Sequence, residues 1–143
     1  MTHYVIYCTK AKPNINGLNG HIVAEFDGET EEIINNGSSF RVGDIPHTNE
    51  VARMSCLDYV DLRKYLKDKN GYAIHIHNLK VFDRPLKLRE LGLEQAPQNM
   101  CYGYLNNQRV VVISIRPEWV AKILNGEKTI EVRKKVLKEM LKQ

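Results

Sequence analysis

Residues 117–135, PEWVAKILNGEKTIEVRKK, constrain the fold more than any other stretch, because they specify a helix, a glycine turn and a strand in immediate succession. Pro117 suits a first helical position, where no backbone N–H is needed, and Trp119, Val120, Ile123 and Leu124 form one apolar stripe at helical spacing. Asn125-Gly126 ends the helix, with Gly126 able to take the left-handed conformation of a C-cap. From Thr129 to Lys135 the pattern alternates, which predicts a strand with Ile130 and Val132 on one face and Thr129, Glu131 and Arg133 on the other. Three charges thus stand at fixed spacing, Gly126-x-Lys128-x-x-Glu131-x-Arg133, and the charged pair points away from whatever Ile130 and Val132 bury.

That spacing resembles the G-x-K-x-x-E-x-R signature of the ASCH domain (activating signal cointegrator homology), a branch of the PUA-like β-barrels, and matches all four of its positions. Residues 111–117 (VVISIRP) resemble the strand that opens such domains, and residues 4–10 (YVIYCTK) the strand that follows the motif. Residues 71–80 (GYAIHIHNLK) and 96–102 (APQNMCY) resemble later segments of small phage-type members. The resemblance implies an α+β fold, a PUA-like partly open β-barrel with flanking helices, built as a single domain from residues 1–143. The order departs from the family, because the strand–helix–motif unit comes last here and first in the relatives. The chain therefore reads as a circular permutant, with residues 105–109 (LNNQR) joining the old ends and the break between Lys135 and His3. A domain-swapped dimer, in which residues 110–143 complete a neighbour's barrel, would give the same order, so monomer and swapped dimer both stand.

Composition frames that reading. A chain of 143 residues with 43% hydrophobic content can bury one core. No apolar run approaches the roughly 18–20 residues that span a bilayer, and the start lacks a basic, apolar leader, so a cytoplasmic protein without a membrane partner is expected. Cys8, Cys56 and Cys101 are scattered without a C-x-x-C pair, which fits buried thiols. Residues 128–143 hold six basic and two acidic side chains, so their net +4 equals that of the whole chain. A polyanion would be drawn to the motif strand and tail. Val136, Leu137, Met140 and Leu141 equally fit a short helix packed on the body with its lysines in solvent.

Elsewhere, residues 3–9 read as a strand covered on both faces and residues 21–27 as the next strand. Gly28, Asn35-Asn36-Gly37, Ser38-Ser39, Gly43 and Pro46 suggest hairpin turns and a long loop over residues 27–49. Ser55 fits the cap of a helix reaching Asp68, with Asp58 as capping-box partner, Tyr59, Leu62 and Leu66 on one side, and Asn70-Gly71 as the stop. Residues 72–82 read as a strand ended by Arg84-Pro85.

The motif residues have two readings. Glu131 and Arg133 on one strand face fit an ion pair closing the barrel's mouth. Alternatively Lys128 and Arg133, with Arg116 as third cation, hold a phosphate or the polar edge of a base over a cleft, and Glu131 accepts from an exocyclic amine or orients Arg133. Trp119 and Tyr7 or Tyr102 offer stacking surfaces. His75, His77 and Asn78 are cleft candidates from the resemblance, as are the amides Gln98 and Asn99. Two histidines at i, i+2 without a third ligand fit a half-buried polar face, so neither metal nor cofactor is expected. The leading expectation is an RNA- or modified-nucleotide-binding module. A second is an amidohydrolase acting on N4-acetylcytidine; relatives with that activity carry Thr where this chain has Glu131, which leaves Thr129, beside Lys128, as the candidate oxygen nucleophile. A third is a single-strand ribonuclease, with Lys128 stabilising phosphoryl charge and a histidine as acid or base.

Overall fold

The computed structural model describes residues 1–35, 40–67 and 69–139. Its elements in chain order are β1 (Thr2–Cys8), β2 (His21–Asn35), β3 (Phe40–Arg41), α1 (Ile45–Met54), α2 (Tyr59–Leu66), β4 (Gly71–Leu86), a 3-10 turn at Leu88–Leu91, β5 (Met100–Leu105), β6 (Gln108–Ile115), α3 (Pro117–Leu124) and β7 (Ile130–Arg133). The architecture is α+β. Seven strands form one mixed sheet in the order β5-β6-β1-β2-β4-β7, with β3 paired to β2, and the described strands do not close into a barrel. Among the described residues no helix is long and apolar enough to cross a membrane.

The strand expected at residues 3–9 pairs with the C-terminal part of the chain. β1 runs parallel to β6 from Tyr4↔Val111 to Cys8↔Ile115, and β7 pairs antiparallel with β4, so the 110–135 unit is integral to the sheet within one chain. The 105–109 segment turns back as a tight hairpin in which Leu105 opposes Gln108. Asn106 and Asn107 take φ of +52° and +64°, the left-handed pair that a two-residue turn between twisted strands demands. β1 is covered on both faces, as its continuous apolar run implied. Tyr4, Ile6 and Cys8 join the core under α3, whereas Val5 and Tyr7 join the opposite cluster with Ile22, Leu91 and Val112.

α3 behaves as its stripe dictates. Val120 and Ile123 are fully buried against β1 and β6, a contribution of about 1.5–3 kcal/mol each. Gly126 has φ +87° and donates to the carbonyl of Ile123, closing the helix.

Three expectations are corrected. The stretch 27–49 is not mainly loop: β2 continues to Asn35 and α1 starts at Ile45, N-capped by Asp44, whose side chain accepts from the His47 amide. Residues 36–39 of that stretch lie outside the described residues. Ser55 does not cap a helix start; it is the C-cap of α1, and Asp58 caps α2 by accepting from the Asp61 amide. The expected helix end at Asp68 lies outside the described residues, and α2 ends at Leu66 with Lys67 as C-cap. β4 runs through Arg84-Pro85 to Leu86, since its pairing with β2 is already irregular there and loses little to a missing N–H. In the tail, Val136 and Leu137 pack on the α3 core, while Met140, Leu141 and Lys142 lie outside the described residues.

Candidate functional site

β7 presents its side chains as the alternation requires. Ile130 and Val132 enter the core beneath α1 and α2, and Glu131 and Arg133 face the other way, across from Ile74 and Tyr72 of β4. That second face is not solvent. Lys128 is 2% exposed and Glu131 6% exposed, so the motif forms a buried network.

The turn after α3 fixes Lys128, whose amide donates to the carbonyl of Lys122. Its ammonium donates to the Ser55 carbonyl at the C-terminus of α1 (2.7 Å) and lies 3.3 Å from Glu131 Oε1. It also sits 5.0 Å from the centre of the Trp119 ring, a cation–π distance. Each nitrogen of the Arg133 guanidinium is engaged by the protein: Nε donates to Glu131 Oε2 (2.7 Å), Nη1 to Asn99 Oδ1 (2.7 Å) and Nη2 to the Ser114 carbonyl (2.6 Å). Two cations share one carboxylate, which leaves one positive charge in excess. Burial holds the Lys128 amine below its ordinary pKa, against the opposing pull of Glu131.

Above this network lies a cavity of about 350 Å³, at the small end of ligand pockets. Lys128, Glu131 and Arg133 form part of its lining, together with Ser114 from β6 and Arg116 and Trp119 from the start of α3. Leu57 and the α2 residues Asp61 and Tyr65 close another side, and Thr9, Gln98 and Val132 complete it. Burial raises the Tyr65 phenol pKa, so that hydroxyl stays neutral. Ser114 Oγ already donates to the Pro97 carbonyl (2.6 Å). Thr9 Oγ1, by contrast, is inaccessible to solvent and has no hydrogen-bond partner.

Of the sequence candidates, Lys128, Glu131, Arg133, Arg116, Trp119 and Gln98 meet at this cavity. Asn99 does not line it but holds Arg133. Lys128 and Arg133, expected either to hold a phosphate or base edge or to take part in an ion pair, are both committed to Glu131 and to carbonyl groups, because buried charges persist only with partners. Arg116 remains exposed and pairs with Glu118 at 3.2 Å. Tyr7 is not a stacking surface, since the parallel pairing of β1 turns it into the opposite core. Tyr102 is likewise elsewhere, stacked under the Arg109 guanidinium at 4.2 Å. Gly126 shapes the turn and does not line the cavity, and Thr129 is taken up by backbone bonds to Met54 and Ile76. His75, His77 and Asn78 lie outside the lining; Asn78 donates to Asp27, and His75 faces Glu31.

Thr9, Leu57, Asp61, Ser114 and Tyr65 were not read from the sequence. Asp61 and Tyr65 carried a usable signal, standing four apart on α2 as a pair distinct from the buried Leu62 and Leu66. No family model, curated protein or solved structure matches this chain.

Proposed function

We propose that the chain is a PUA-like module of ASCH type in permuted order, and that its α2–α3 cavity binds one base of RNA or one modified nucleoside. The observation that carries this reading is the preorganised floor of the cavity: a buried Lys128–Glu131–Arg133 network with one excess positive charge, beneath the Trp119 and Tyr65 rings. Flat aromatic walls and fixed polar groups in a space this small suit a single base better than a length of strand. Arg133 then acts by fixing the Glu131 carboxylate, an acceptor for an exocyclic amine. Gln98, which also lines the cavity, is a further group able to bond a base edge. Phosphate contacts fall to exposed cations, Arg116 at the wall and Lys134 and Lys135 beyond β7.

One observation favours a second reading, acyl transfer on N4-acetylcytidine. The depressed pKa of Lys128 gives it more of the free amine that could activate an oxygen nucleophile. Of the two threonines, Thr9 lines this cavity and Thr129 does not, and the Thr9 hydroxyl, closed to solvent as it stands, would have to turn towards the ligand to serve. The ribonuclease reading gains no support, because no histidine lines the cavity.

The test is a panel of single-stranded, double-stranded and modified RNAs, with mass spectrometry of the recovered nucleosides. Unchanged RNA is expected, with affinity falling about 5–150-fold in Trp119→Ala, the equivalent of roughly 1–3 kcal/mol of stacking. Deacetylated nucleoside that vanishes in Thr9→Val establishes the second reading. Absence of any binding, or binding lost only on Lys138→Ala in the tail, overturns both.

A further inference from the structure

We infer that Glu31, His47 and His75 form a binding site for one divalent transition-metal ion of the zinc class, on the opposite face of the sheet from Glu131. The inference is independent of what the α2–α3 cavity binds.

Three separate elements bring the ligands together. In the β2–β4 ladder Glu29 opposes His75 and Glu31 opposes Ala73, so Glu31 and His75 are diagonal neighbours on one face. That face is the one on which Ile33, Ala73 and Ile130 pack against the helices. His47 reaches it from the first turn of α1, where the Asp44 cap holds its amide at 2.8 Å. His47 Nε2 is 2.9 Å from each carboxylate oxygen of Glu31, and His75 Nε2 bonds Oε2 of the same group. The three donor atoms all lie within 4.8 Å of one another, and the two imidazole rings are within 10° of parallel with centres 6.3 Å apart.

The sequence pattern lacked two of the ligands, Glu31 from β2 and His47 from α1, and His77, the expected companion of His75, is not part of the set. Two imidazoles and a carboxylate suit Zn²⁺, Co²⁺ and their neighbours and not Mg²⁺ or Ca²⁺, which prefer all-oxygen shells. Ligand distances of about 2.0–2.2 Å to a common ion would place the donors roughly 3–3.5 Å apart; the 2.9 Å contacts between His47 and Glu31 need to open by only a few tenths of an ångström, and all three donors already lie within 4.8 Å of one another. His47 and Glu31 are each about one-third exposed, which leaves the remaining coordination positions open to water. An ion there would tie the N-terminus of α1 to β2 and β4.

Tag-free protein stripped with chelator is titrated with Zn²⁺ against a chromophoric competitor. One equivalent is expected to bind and to raise the melting temperature. Glu31→Gln, His47→Ala and His75→Ala should each weaken binding by at least about 10-fold, while His77→Ala and Cys56→Ser leave it unchanged. Melting in chelator checks that each variant is folded. In the unaltered chain, Zn²⁺ should shift the imidazole ¹⁵N resonances of His47 and His75 and leave those of His77 in place, a readout that needs no variant. Absence of binding below millimolar Zn²⁺ overturns the inference, as does binding that survives the three ligand substitutions or is lost with Cys56→Ser.

Discussion

Replacing Glu131 by Gln tests whether the motif is a closed electrostatic unit. The substitution keeps size and shape but leaves Lys128, 2% exposed, and Arg133 without the carboxylate that both contact. Removing one partner from a buried ion pair costs about 3–5 kcal/mol, because the survivor stays desolvated. For a chain of this length that corresponds to a fall of roughly 10–20 °C in melting temperature. The opposite substitution, Lys128→Met, should cost far less. It leaves Arg133 and Glu131 as a balanced pair, and its main penalty is the unpaired Ser55 carbonyl, about 1–3 kcal/mol. The asymmetry follows from two cations sharing one anion.

The pH dependence has a definite sign. Burial already holds the Lys128 pKa below its ordinary value, and loss of Glu131 removes the main effect that raises it. Between its folded and unfolded pKa values such a lysine binds more protons when unfolded, so stability rises with pH across that window. The Glu131→Gln defect should therefore be largest near neutrality and shrink as pH rises towards the unfolded lysine's own pKa of about 10.4. Thermal and urea unfolding of both variants from pH 6 to 10 supply the measurement. A Glu131→Gln protein that melts within about 1 °C of the parent, or a Lys128→Met protein that is the less stable of the two, refutes the reasoning.

Two further substitutions probe the scaffold. A methyl group at Gly28 would lie 2.4 Å from Cε2 of the fully buried Tyr4, whose ring stacks on Phe26 with centres 4.8 Å apart, so Gly28→Ala should destabilise by about 1–3 kcal/mol in chemical unfolding. Protonated His3 donates through Nδ1 to Asp27 (2.8 Å) and through Nε2 to Glu25 (2.9 Å); although burial alone lowers its pKa, the two carboxylates together raise it. That stabilisation is complete below the unfolded pKa near 6.5 and disappears as pH rises through the folded value, so His3→Gln should flatten the decline in melting temperature between about pH 6 and 8. The pair is partly exposed, so the effect should stay below about 1 kcal/mol, and an undiminished decline would exclude His3 as its source.

The sequence determined whatever depended on local periodicity. The α3 stripe, the Gly126 stop, the two faces of β7 and the continuous burial of β1 each follow from side-chain spacing over fewer than ten residues, and each stands in the structure. Local signals misplaced the helices after Gly28. Ser55 has the chemistry of a helix start, yet nothing adjacent in sequence shows that the carbonyls at that point accept from Lys128, 73 residues away. The grouping of Lys128, Glu131 and Arg133 was legible as spacing, but their protonation and burial were not. A strand two residues from a glycine turn reads as exposed until Ser114, Asn99 and α2 close over it. Tertiary pairing alone decided that Tyr7 turns away from the cavity and that Thr9 and Tyr65 belong to it. It also brought His47 and Glu31 to His75, since strand register and helix docking place residues 16 and 44 positions apart at one point, and no short-range pattern encodes that distance.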